Sequence, residues 1–84
     1  MRIRVTQDHI DHGLRGSATS DPVALALQDE GFIRPYVGPD LIWVDGRNGG
    51  FMRQTTMTPD SVVLFMKEFD NGVSVKPFQF EVKF

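Results

Sequence analysis

Two histidines and two aspartates lie close together in D-H-I-D-H-G, residues 8 to 13. Imidazole and carboxylate groups are common metal ligands, and His with Asp is also a common pair in general acid and base catalysis. On a helix, His9 and His12 are three residues apart and share a face, with Asp8 and Asp11 close enough to add oxygen ligands. The stretch therefore raises two chemical possibilities, a metal site and an acid-base pair.

Neither possibility finds support elsewhere in the chain. There are 2 histidines and no cysteine in all, whereas protein zinc sites commonly use three or four protein ligands. No G-x-S-x-G, H-E-x-x-H or G-x-x-x-x-G-K-[ST] motif is present, and a domain this small has little room to enclose a pocket. We interpret the stretch as a capped helical turn and predict a protein that is not an enzyme and carries no cofactor. The alternative hypothesis is a small-molecule or metal binder, or a minor enzyme, centred on His9 and His12.

The length and composition predict one globular domain. A chain of 84 residues has room for a single core, so we assign residues 1–84 to one domain. Its hydrophobic fraction of 40% and charged fraction of 24% are ordinary for a folded protein. The start M-R-I-R-V-T lacks the apolar run of a secretion signal, and no long apolar stretch occurs. We therefore expect a cytoplasmic protein without membrane association.

The charge distribution argues against direct binding to nucleic acid. The net charge is −2, and Lys and Arg do not gather into the basic patch that backbone-binding proteins use. F-Q-F at residues 78 to 80 is superficially similar to the aromatic platform of RNA-binding sheets. However, the apolar residues of that segment all fall on one side, which is typical of a strand buried against a core.

The first third of the chain predicts a strand, a helical turn and a helix. R-I-R-V-T alternates apolar and polar residues, as a strand with one buried face does. Thr6 then caps a helical turn that runs through His12, and Gly13 is expected to end it in the left-handed conformation. In S-D-P-V-A-L-A-L-Q-D-E-G, Asp21 caps a second helix, and Gly31 ends it.

The remainder predicts three strands, a helix and a last strand. Strands are expected near residues 32 to 37, 41 to 45 and 51 to 56, with Pro35 confining its strand to a sheet edge or a bulge. T-P-D-S predicts a helix capped by Thr58 and closed by Asn71-Gly72. P-F-Q-F-E-V-K-F alternates regularly, so it is expected to be a strand with one buried face.

We combine these elements into an α+β fold with the order β-(short α)-α-β-β-β-α-β. The economical assembly is an antiparallel-rich sheet of about four to five strands with the two main helices on one face. The terminal strands are expected to be neighbours, so that Arg2 and Arg4 face Glu81 on the solvent side.

The most distinctive surface is predicted in the middle hairpins. Leu41 and Trp43 occupy one side of their strand, and Ile42 and Val44 occupy the other, so both sides are apolar. A protein with few helices cannot cover both sides, and an uncovered aromatic side is a candidate protein interface, with burial of Trp43 in the core as the alternative. The predicted contact residues are Trp43, Tyr36 and Phe32, with Arg47 and Arg53 as charged contacts.

Three stretches resemble a family of short proteins encoded by phages and prophages: V-T-Q-D-H-I-D-H-G-L-R-G, D-P-V-A-L-A-L and V-K-P-F-Q-F-E-V. In that family a Cys often precedes the proline, where this chain has Asp21. The resemblance implies a small protein that binds and blocks host machinery, with an anti-CRISPR or other anti-defence role. The expected partner is a host protein or defence complex in the host cytoplasm, and the expected state is a monomer or small homo-oligomer.

Overall fold

The elements of the computed structural model, which describes all 84 residues, follow the predicted order. They form a mixed α+β fold with three helices and two antiparallel sheets, and no helix is long and apolar enough to cross a membrane. The elements are β1 (Arg2–Val5), α1 (Gln7–His12), α2 (Pro22–Asp29), β2 (Tyr36–Val37), β3 (Leu41–Val44), β4 (Gln54–Met57), α3 (Asp60–Asp70) and β5 (Phe78–Glu81).

The two ends of the chain pair with each other, as expected. Strands β1 and β5 form an antiparallel sheet in which Arg2 lies opposite Glu81. The Arg2 Nε donates to a Glu81 carboxylate oxygen at 3.1 Å, and this guanidinium lowers the pKa of Glu81. Arg4 lies opposite Gln79 instead, so only one of the two arginines meets the acid as predicted.

The strands divide into two sheets, whereas the sequence predicts one. The second sheet has the order β2-β3-β4, and no strand in it pairs with β1 or β5. Its first strand is much shorter than predicted, because Arg34 has a positive φ of 45° and Pro35, which cannot donate to a ladder, precedes the strand. Only Tyr36 and Val37 pair with β3, while Phe32 makes an isolated bridge to Arg47. Strand β2 is an edge strand, in line with the proline argument.

Both sheets and all the main helices contribute to one hydrophobic core of 15 buried residues. Helix α2 contacts β1 and β2, one strand of each sheet. The apolar side chains Val62, Phe65 and Phe69 of α3 are buried, and the Phe65 ring lies 4.5 Å from the Phe78 ring of β5. The fully buried core side chains include Ile3, Val5, Val23, Leu27, Ile42, Val44 and Val62.

Two helix termini differ from the prediction, the C-terminus of α1 and the N-terminus of α3. Gly13 has an extended backbone with φ of −69°, so it is not left-handed. It packs against Pro22, where an added Cβ would lie 2.5 Å from the ring, and this close approach accounts for a glycine. Helix α3 is capped by Pro59 without a side-chain bond. Thr58 donates instead to the carbonyl oxygen of Gly38 at 2.7 Å, which fastens the start of α3 to the β2-β3 turn.

Candidate functional site

The second sheet has one face that points away from the core, formed by Tyr36, Leu41, Trp43, Thr55 and Met57. We call it the outer face. Trp43 lies opposite both Tyr36 and Thr55, and Leu41 lies opposite Met57. Side chains alternate along a strand, and the intervening residues of β3 are fully buried. The outer face therefore presents an aromatic and apolar surface to solvent.

An aromatic stack organises the outer face. The rings of Tyr36 and Trp43 lie 4.0 Å apart and nearly parallel, at 9°, and the Arg53 guanidinium sits 5.4 Å from the Trp43 ring. Arg53 is held by a 2.9 Å bond from its Nε to Asp45. Asp45 also accepts from Arg34 at 3.0 Å, and hydrogen bonds from these arginines lower its pKa. Three of the predicted contact residues thus meet in one stack, with Trp43 half-buried.

The other two predicted contact residues lie elsewhere. Phe32 is only 5% exposed, and its ring contacts Phe84 at 5.0 Å. The Arg47 guanidinium covers the Phe32 ring at 4.9 Å, and its Nε donates to the Glu30 carbonyl oxygen. Backbone bonds between Ile33 and the loop after β3 turn the Phe32 side chain inward. Phe32 is therefore a core residue in this fold, and its assignment to the surface is corrected.

Further hydrophobic side chains are exposed at the end of β4 and in the residues that precede it. Phe51 is 78% exposed, Met52 73% and Met57 80%, and Phe51 and Met52 come just before Arg53 in the chain. A strand was predicted over residues 51 to 56, but the exposure of these side chains was not. The sequence does indicate that β4 is exposed, because its residues Q-T-T-M lack the apolar alternation of a strand that packs on a core.

The free edge of β4 carries unpaired backbone groups. Thr58 donates to the Asp40 carbonyl oxygen at 2.9 Å, which makes these residues a hydrogen-bonded pair. Because such pairs alternate in an antiparallel ladder, the N–H and C=O groups of Thr55 and Met57 point away from β3. No further strand pairs with β4. The strand contains neither the lysine nor the proline that often protects a sheet edge.

The His9 side chain links the start of α1 to the end of α2 through hydrogen bonds. The Thr6 side chain caps the helix, and its backbone N–H donates to His9 Nδ1 at 2.9 Å. Because Nδ1 accepts, the ring proton lies on Nε2, which donates to Asp29 at 2.5 Å. The capped turn was expected from the sequence, but the bond to Asp29 was not, since a contact across 20 positions leaves no local pattern.

His12 is exposed and separate from this arrangement. Its Nδ1 lies 2.8 Å from the Asp8 carbonyl oxygen and 3.5 Å from the Asp8 carboxylate. The backbone contact and the carboxylate charge raise the pKa of His12. No group of three or more His, Cys, Asp or Glu side chains in the structure is arranged to hold a metal ion. The stretch from Asp8 to Gly13 is thus a capped turn in which each histidine has a different partner.

A cleft of about 420 Å³ lies between α3 and the loops that precede α2 and follow β2. We call it the Asp21 cleft. The Asp21 side chain is fully buried, and its Oδ1 accepts from Ala24 N at 2.7 Å, as the predicted cap requires. Its Oδ2 has no partner. Burial is the main cause that raises the pKa of Asp21 to about 7, and the Asp70 charge adds to it. The cap was expected from the sequence, but the burial of Asp21 was not, because burial depends on α3.

No protein-family model matches the chain, and no curated protein or solved structure is significantly similar to it. The fold and the site define a small α+β domain with an exposed aromatic sheet face, an unprotected sheet edge and one polar cleft.

Proposed function

We propose that the protein acts by binding a partner protein at the outer face and the free edge of β4, without catalysis. The observation that carries the proposal is the coincidence of two features on one strand. Thr55 and Met57 offer unpaired backbone groups at the edge, and their side chains continue the surface that starts at the Tyr36-Trp43 stack. A partner strand added to β4 would use both features together.

The backbone groups favour an extended partner segment. Addition of a strand satisfies alternate N–H and C=O groups, while side chains on one face of the added strand give specificity. An added strand here would place alternate side chains next to Met57 and Thr55. Those side chains are expected to be apolar, because the neighbouring positions on the outer face are Leu41 and Trp43.

The side chains favour a protein partner over a small ligand. Trp, Tyr and Arg are the residue types enriched among the few that dominate the energy of protein interfaces, and Trp43, Tyr36 and Arg53 are stacked together. The stack is already ordered in the free protein, so its side chains lose little freedom on binding. Phe51 and Met52, which precede Arg53 in the chain, are also exposed.

We further propose that the partner belongs to a host defence complex, of the CRISPR type or another, and that binding inhibits it. This part depends on the resemblance of both ends of the chain to short phage and prophage proteins. Occupation of an edge or groove that the complex itself needs would be sufficient for inhibition. The surface proposal and the defence proposal are separate, and each needs its own experiment.

The surface is tested by affinity capture from lysates of defence-carrying bacteria with three variants. Trp43→Ala and Met57→Lys are expected to abolish capture of the partner that wild type retains, since loss of a dominant interface residue costs about 2 kcal/mol or more, roughly 30-fold in affinity. Leu64→Lys is the matched control, because Leu64 is 59% exposed on α3 and lies outside the outer face. Equal capture by all variants would contradict the proposed surface.

The defence role is tested by phage plating on strains that carry one defence system each, beside matched strains that lack it. Expression of the protein is expected to restore plating on at least one defence strain, and Met57→Lys is expected to remove the effect. Unchanged plating on every strain, with a partner still captured, would refute the defence role and leave the binding surface intact.

The alternative function centred on His9 and His12 has less support. Both ring nitrogens of His9 are engaged by Thr6 and Asp29, and His12 is exposed and pairs with Asp8. Metal binding at His9 would require the loss of these bonds. Titration with zinc, nickel and manganese that raised the melting temperature of wild type but not of His9→Ala would favour this alternative.

A further inference from the structure

We propose that the Asp21 cleft binds a small free organic cation, an ammonium or guanidinium group on a short apolar chain. This site requires no partner protein, so it does not rest on the outer-face proposal, although Tyr36 contributes to both surfaces. Its central group is the Asp21 carboxylate, which lies at a wall of the cleft with its Oδ2 atom unpartnered.

The state of Asp21 points to a missing hydrogen-bond donor. A buried polar atom without a partner is costly, so nearly all such atoms in native proteins have one. Within the chain, Ala24 N satisfies only Oδ1. Of the hydroxyl groups that line the cleft, Thr58 donates to Gly38, and none donates to Oδ2 of Asp21. Because Asp21 belongs to the cleft lining, a ligand in the cleft is a candidate for this donor.

The shape and lining of the cleft suit a small molecule with an apolar part. Its volume of about 420 Å³ falls in the range of small-ligand sites, about 300 to 1,000 Å³. The apolar lining includes Val37, Val63 and Met66, and Tyr36 contributes an aromatic ring. A short alkyl chain could pack on this lining while its charged end approaches Asp21.

The charges select a cation. The ionisable groups that line the cleft are Asp21 and Asp70, one ammonium at Lys67 and the Tyr36 phenol. Lys67 forms no ion pair with either carboxylate, and Asp70 accepts only from the backbone N–H of Gly16 at 3.0 Å. Two carboxylates against one ammonium leave the cleft net negative when Asp21 is ionised. A bound cation would donate to Oδ2 and offset the cost of that buried charge.

Binding should strengthen with pH. The pKa of Asp21 is raised to about 7, and an organic cation favours the ionised form. About 1% of a group with this pKa is ionised at pH 5 and about 90% at pH 8, so the affinity should rise on the order of 100-fold between them.

The experiment is a titration with n-butylammonium, and with n-butanol as the neutral probe, followed by NMR of the aspartate side-chain carboxyl carbons. At pH 8 we expect a saturable shift of the Asp21 signal with butylammonium and none with butanol. Asp21→Asn should abolish the saturable response, and Asp70→Asn should weaken it several-fold. Asp60→Asn removes a carboxylate from the exposed start of α3, outside the cleft, and should bind like wild type.

Three results of the binding experiment would overturn the proposal. These are no saturable shift at pH 8, an equal response in Asp70→Asn and wild type, or binding that weakens as the pH rises. The Asp70→Asn comparison keeps the test valid if Asp21→Asn does not fold. Loss of partner capture in Asp21→Asn without butylammonium binding would also overturn it, since it would show that the cleft receives a protein side chain.

Discussion

The buried Asp21 carboxyl makes a specific prediction about stability and pH. Its pKa is raised from 3.8 to about 7 in the folded protein, so the folded state holds a proton that the unfolded state has released between these values. Because the folded state binds more protons, the free energy of unfolding falls as the pH rises. The stabilisation is complete below about pH 4 and is lost by about pH 7 to 8. Substitution of Asp21 by Asn removes this titration.

The expected size follows from the shift. A change of about 3 pH units, at about 1.4 kcal/mol per unit, corresponds to about 4 kcal/mol as an upper value. A domain of this length is expected to have a total stability of about 4 to 13 kcal/mol. Asn is as good a helix cap as Asp, but its buried NH₂ would lack an acceptor at a cost of about 1 to 3 kcal/mol. That cost does not change with pH, so the pH dependence isolates the ionisation.

The assay is urea unfolding of wild type and Asp21→Asn at intervals from pH 4 to pH 8. The difference in unfolding free energy should move in favour of the variant by about 2 to 4 kcal/mol across this range. The other carboxylates are present in both proteins, so the difference reports mainly on Asp21. A difference that stays constant, or that moves in favour of wild type, would refute the assignment of Asp21 as a buried carboxyl that holds its proton.

Three further predictions concern the core and two of the surface ion pairs. Leu27→Ala should lower the unfolding free energy by about 2 to 5 kcal/mol in urea titrations, since Leu27 is fully buried, and a smaller loss would argue against its place in the core. Arg2→Ala should cause a small loss that disappears in high salt, because the contact with Glu81 is exposed; a loss independent of salt would contradict this. In an NMR titration, Asp8→Asn should lower the pKa of His12 but leave it above its ordinary value, because the contact with the Asp8 backbone remains. An unchanged pKa would show that the carboxylate has no effect.

The helices and the terminal strands could be predicted because their signals are local. Thr6 and Asp21 cap their helices as expected, and the alternation of the last strand identified its buried face. The division into two sheets and the shortening of β2 could not be predicted. They depend on the positive φ of Arg34 and on the inward turn of Phe32, which are set by contacts with the loop after β3.

The candidate site was only partly accessible from the sequence for the same reason. Trp43 and Tyr36 were identified by residue type, and their stacking requires the register of β2 on β3. The exposure of Met57 and the burial of Asp21 depend on which elements lie beside them. For Asp21, the sequence indicates a helix cap but does not indicate that the same carboxyl group is buried.

The most direct test of the central proposal, the binding surface on β4, is amide hydrogen exchange in the free protein and in its captured complex. The amides of Thr55 and Met57 should exchange rapidly in the free protein, because they have no acceptor within the chain. They should be strongly protected in the complex, while the exposed N-terminal amide of Asp60 in α3 keeps its rate. Protection elsewhere, with unchanged exchange at Thr55 and Met57, would show that the partner does not bind at the edge of β4.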